Sequence, residues 1–84
     1  MPPPTSSLVP LSVAMSGENW KTVTLRWAGS SWPTVDLYRN GVRIKNVTNT
    51  GSTTDTVFER GRYDYWVCAG GSRTACSVVA TAVW

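Results

Sequence analysis

Arg62-Tyr63-Asp64-Tyr65-Trp66-Val67-Cys68-Ala69 is the stretch whose reading decides the fold. Tyr63, Tyr65, Val67 and Ala69 fall on one side of a period of two; Asp64, Trp66 and Cys68 fall on the other. Successive side chains of an extended strand point to opposite faces, so this pattern predicts an antiparallel strand with one apolar and one mixed face. The rest of the chain reads as strands that cover the apolar face.

Lys21 to Trp27 alternates as cleanly. Val23, Leu25 and Trp27 point one way, and Thr22, Thr24 and Arg26 the other. Threonine suits an exposed strand face, where its branched β-carbon packs well. Thr34 to Arg39 and Val42 to Val47 flank Asn40-Gly41, a strong hairpin signal because both turn positions need positive φ. A two-residue loop predicts the pairs Arg39 with Val42, Tyr38 with Arg43, Leu37 with Ile44 and Asp36 with Lys45.

The ends are less regular. Residues 1–7, with three consecutive prolines, read as a Pro-rich linker or expression tail, which places the domain at 8–84 and within a longer parent chain. Leu8 to Met15 is a first strand, interrupted by Pro10, which cannot donate to a ladder and so marks an edge or a bulge. Ser16 to Asn19 and Ala28 to Pro33 are loops. Thr53 to Phe58 is a strand with Val57 inward, and Glu59-Arg60-Gly61 turns into the opening stretch. Gly70 to Thr74 is a loop, and Ala75 to Trp84 a last strand whose parity a bulge would swap at Val78-Val79. Short strands with turn signals every 8–12 residues predict an all-β fold, a seven-stranded Greek-key β-sandwich.

Eighty-four residues make one small domain, of a size often helped by a covalent staple, which Cys68 and Cys76 are able to supply. No apolar run approaches the roughly 20 residues of a spanning helix, so no membrane is expected as a partner. The N-terminus lacks the basic head and apolar core of a signal peptide. The net charge of +3 comes from scattered basic residues, which argues against nucleic acid. The chain has no histidine, which removes the commonest general base and the commonest metal ligand. No catalytic residue, metal or cofactor is therefore expected. Asp55 and Asp64 are the one conceivable carboxylate pair, and a sandwich this small offers little cleft for them.

At this point the chain resembles a fibronectin type III domain, over about residues 8–84. The resemblance rests on Leu25-x-Trp27, on Val35-Asp36-Leu37-Tyr38-Arg39-Asn40-Gly41, on Val57, and on Tyr63-x-Tyr65-x-Val67-x-Ala69. It implies that Trp27 packs between two sheets with Leu25 and Leu37. It also implies that Tyr63 is a corner tyrosine, its hydroxyl bonded back to the preceding turn. The family usually carries proline two residues after the position of Val57, where this chain has Glu59. Cys68 and Cys76 flank the Gly70-Gly71 loop and look like the cystine of a bacterial branch of these domains, attached to secreted proteases and polysaccharide-degrading enzymes. Free thiols, a metal pair and a redox switch are the other readings. A disulfide implies an oxidising compartment.

The resemblance thus implies a non-catalytic, secreted, extracellular accessory module of a multidomain protein, a hydrolase. Its role would be to space its neighbouring domains or to hold them on an insoluble polysaccharide or protein polymer. A carbohydrate-binding module using exposed aromatic residues is the second reading, and a protein-binding adhesion module with an open strand edge is the third. Trp66 with Tyr38 is the first candidate for a stacking platform, because sugar rings present apolar C–H faces to aromatic rings. Trp32 and Trp20, in or beside loops, come next. The competing reading has Trp66 packed over the disulfide and the stems of arginines. Asn46-Val47-Thr48 matches the N-glycosylation triplet.

Overall fold

The computed structural model describes residues 9–28 and 32–84. The 1–7 linker, Leu8 and residues 29–31 of the second loop lie outside the described residues. The strands are β1 (Leu11–Ser16), β2 (Lys21–Trp27), β3 (Thr34–Arg39), β4 (Val42–Thr48), β5 (Ser52–Val57), β6 (Arg62–Ala69) and β7 (Ala80–Val83). They form two antiparallel sheets, in the orders β1-β2-β5 and β4-β3-β6-β7. The fold is therefore all-β and sandwich-like.

The alternations of the sequence decide which residues meet. Val23, Leu25, Trp27 and Val57 face Val35, Leu37, Tyr65, Val67 and Ala82 from the opposite sheet, all buried in one cluster. Tyr63 packs against this cluster, and its hydroxyl donates to the Glu59 carbonyl across the turn before β6. The tyrosine holds that turn with Glu59, and no proline, two residues after Val57. The indole N–H of Trp27 donates to Asn49 Oδ1 at 2.8 Å, so the largest core ring has its one polar atom satisfied.

The hairpin departs from the expected pairing halfway along. Arg39 pairs with Val42 and Tyr38 with Arg43. The register then shifts, and Leu37 lies opposite Lys45 and Asp36 opposite Asn46. Ile44 and Val47 both pack on the core although their spacing is odd. A regular strand would send one of them to solvent; an extra residue in β4 turns both inward. Asn40 and Gly41 take φ of 50° and 88°, the positive values the turn demands.

Both ends of the sequence also differ from expectation. Regular pairing to β2 begins after Pro10, while Val9 bridges Ser77 on the other side of the sandwich, and its carbonyl accepts from Val78 N at 3.0 Å. The proline lets the chain change sheets where no N–H is required. The last strand is shorter than Ala75 to Trp84. Cys76 forms only an isolated bridge with Cys68, and Ser77 Oγ accepts the Val67 N–H at 3.0 Å. A side chain thus fills a position that a ladder carbonyl would otherwise occupy, and pairing to β7 resumes at Ala80.

Where β3 and β5 approach, the sandwich is closed by polar groups. Asp55 Oδ2 accepts from Arg39 Nη1 and from the Tyr65 hydroxyl, each at 2.8 Å. Lys45 Nζ reaches from β4 to the Thr54 carbonyl. Tyr65 is fully buried, and its burial followed by the bond to Asp55 raises its pKa well beyond the phenol range. It stays a neutral donor. Replacing Asp55 with alanine leaves that hydroxyl without an acceptor and is expected to lower stability by about 1–3 kcal/mol. Arg39 is partly exposed, so its share of the loss is small. A urea midpoint unchanged from the parent protein would show that this contact stabilises nothing.

Candidate functional site

β3 and β6 are neighbours, and their register places Tyr38 opposite Trp66 and Asp36 opposite Cys68 on the outer face. The Tyr38 and Trp66 rings stack with centroids 5.6 Å apart and planes 7° from parallel. Cys68 is disulfide-bonded to Cys76, and both belong to the same buried cluster, with Val79 packed against it. Trp66 is 3% exposed and Tyr38 7%. The expectation that this pair forms an open platform is therefore corrected: the rings spend their faces on each other and on the segment tied down by the disulfide. The competing reading, with Trp66 packed against the disulfide, is the one the structure shows: Cys76 lies beside β6 at its edge, and Val79 packs on the same cluster.

Beside the stack, the carboxylate of Asp36 is buried and fully engaged. It accepts from Asn46 Nδ2 at 2.8 Å and from Gly71 N at 2.9 Å, and Arg43 Nη1 lies 3.8 Å away. Burial works to raise its pKa. The hydrogen bonds from Asn46 and Gly71 and the Arg43 charge outweigh burial and hold the carboxyl below its ordinary value. Asp36 thus ties β4 and the Gly70-Gly71 loop to β3. The amide of the glycosylation triplet is spent on this contact.

The remaining candidates separate. Trp32 packs against the core, and its carbonyl accepts from Asn49 Nδ2 at 2.8 Å. It braces a loop. Trp20 is 52% exposed and keeps its place as a surface aromatic residue. Asp55 lies in the row of Val23, on the core side of the three-stranded sheet. Asp64 lies on the outer side of the other sheet, bonded to Thr81 and Arg62. The two carboxylates thus share no cleft. Among the described residues no three of His, Cys, Asp and Glu gather in a metal-sized group, and no helix is long and apolar enough to cross a membrane.

The structure adds surface residues that sequence reasoning passed over. Phe58, assigned simply to the end of a strand, is 73% exposed. It lies one residue beyond the last β2–β5 pair, Lys21 with Val57, and Trp20 lies one residue beyond on the partner strand. Trp84 occupies the same end of the molecule. Lys21 Nζ and Arg60 Cζ lie 5.7 and 5.5 Å from its ring centre, and its backbone exchanges hydrogen bonds with Gly61. The parity of Phe58 relative to Thr54 and Thr56 was the available signal for its outward direction.

The chain matches no family model, and searches of curated proteins and of solved structures gave no significant match.

Two outcomes follow from this region. The native protein should carry no reactive thiol and be lighter than its reduced form by two hydrogens. Replacing both cysteines with serine should cost about 2–3 kcal/mol, the loop-closure value for a short ring; quantitative thiol labelling of native protein would refute the bond. The lowered Asp36 value means that its contribution to stability is complete above the ordinary carboxyl value of 3.8 and is lost as pH falls through the lower folded value. Asp36→Asn should therefore melt below the parent protein at neutral pH and converge with it below about pH 4. A parallel offset in melting temperature across the whole pH range would contradict that assignment.

Proposed function

We propose that this chain is a fibronectin type III-like module with a seven-stranded Greek-key topology, serving as a non-catalytic accessory domain of a secreted multidomain protein, a hydrolase. The observation that carries the reading is the arrangement of strands: β1-β2-β5 against β4-β3-β6-β7, with Trp27 between the sheets and Tyr63 closing the turn before β6. Connections that pass from sheet to sheet after β2, β4 and β5 are what such a topology requires. The Cys68–Cys76 bond is compatible with an oxidising, extracellular setting.

The role follows from where polar and apolar groups sit. The titratable side chains nearest the core are committed to structure: Asp55 and Tyr65 to each other and to Arg39, Asp36 to Asn46 and Gly71. That leaves the outer surfaces for contact with a polymer or with neighbouring domains. The module spaces its neighbours or holds them on a substrate. The adhesion reading, a partner strand added to an edge, has less support. Lys45 reaches across to the Thr54 carbonyl, and a lysine on an edge discourages strand addition.

The purified chain should release neither reducing ends nor peptides from polysaccharide or protein substrates. It should fold autonomously with a single cooperative unfolding transition. Product release that co-purifies with the chain and survives removal of contaminating enzymes would overturn the proposal.

A further inference from the structure

The outer face of the three-stranded sheet carries side chains of an unusual uniformity. The registers of β1, β2 and β5 set them in three rows: Ser12–Arg26–Ser52, Ala14–Thr24–Thr54 and Ser16–Thr22–Thr56. Neighbouring strands are about 4.8 Å apart and residues two along a strand about 6.7 Å, so the hydroxyls form a near-rectangular lattice. Arg26, at one end, is the single charge in these rows, in a chain whose net charge is +3. At the other end come Trp20 and Phe58, the two most exposed aromatic residues described. Both continue the outward parity of Thr22 and Thr56. Lys21, next in the chain to Trp20, is drawn off this face, with Nζ on the Gly17 carbonyl and over the Trp84 ring.

The geometry points to this face, with Trp20 and Phe58 as its anchors, as a docking surface for a neutral, insoluble polysaccharide. The inference rests on the reading of the chain as an accessory module and names the surface through which it would hold a substrate. Three properties select that occupant. Away from Arg26, the hydroxyl rows offer donors and acceptors to sugar hydroxyls without a charge to desolvate. The two rings offer apolar faces to the C–H faces of sugars, with little rotamer entropy lost on binding. The near-absence of charge disfavours nucleic acid and anionic polymers, whose binding depends on cationic neutralisation. Tyr38 and Trp66, on the other sheet, take no part.

Sedimentation of the full chain with microcrystalline cellulose and with crystalline chitin tests the assignment. The protein should partition to at least one of them, with retention that persists at high salt. Trp20→Ala with Phe58→Ala should weaken partition roughly tenfold or more, the scale expected when central aromatic anchors are truncated. Thr24→Glu with Thr54→Glu, a change confined to the outward face, should weaken it comparably. Val42→Ala with Val83→Ala, exposed apolar positions on the other sheet, should not. Unaltered melting temperatures keep the loss from being one of folding. Absence of retention on both polymers, retention untouched by the first two pairs, or retention only on an insoluble protein such as collagen would overturn the inference. None of these outcomes by itself produces the substrate turnover that would sink the accessory-module reading, so the two failures are distinguishable.

Discussion

β6 is buried on both faces, and that constraint places nearly everything else. Its inner face carries Tyr65 and Val67 into the core between the sheets. Its outer face carries Trp66 and Cys68 into a second, smaller cluster. A strand in this position needs two covers. The three-stranded sheet supplies the first through Val23, Leu25 and Trp27. The second is local: Tyr38 stacks on Trp66, and the disulfide draws residues 76–79 against them. The large side chains from Tyr65 to Cys68 thus lose their water, and burial of that kind is the main favourable contribution in a small domain.

Polar groups are then fitted to the covers. Asp55 receives the hydroxyl of Tyr65, Asp36 receives the amides that fix the hairpin and the glycine loop, and Ser77 satisfies the Val67 N–H where the ladder breaks. Each of these buried atoms would cost stability if left unpaired. Their engagement also moves the prospective functional surface. The four-stranded sheet uses its outer aromatic residues for packing, while the outer face of the three-stranded sheet, among the described residues, carries mostly serine and threonine and is bordered by the exposed Trp20 and Phe58. The two outer faces of one sandwich therefore differ: one completes the fold through Tyr38 and Trp66, and the other presents rows of serine and threonine.

Much of this was legible in the residues. Period-two alternation named the inward sets of β2 and β6, because one buried face leaves no other register open to a strand. Asn40-Gly41 announced the hairpin, since few other dipeptides accept positive φ at both positions. The site was legible only in part. Alternation says that Trp66 and Tyr38 point away from the core, yet it is silent on whether another segment then covers them. The bulge in β4 was hidden for a related reason, since it depends on Ile44 and Val47 both finding the core; the break before β7 falls at Val78-Val79, which the sequence marks as irregular, with Ser77 replacing a backbone acceptor just before it.

By itself, then, the order of amino acids settled that the chain would form strands and which side of β2 and β6 would be dry, with Leu25 and Trp27 on that side. Those are near-neighbour properties, fixed by the pleat and by the cost of wetting apolar surface. Tertiary structure alone decided which outward aromatic residues stay in water. That choice depends on contacts that alternation does not specify, Cys76 with Cys68 across a short loop and Trp66 with Tyr38 across two strands, while Trp20 and Phe58 stay exposed.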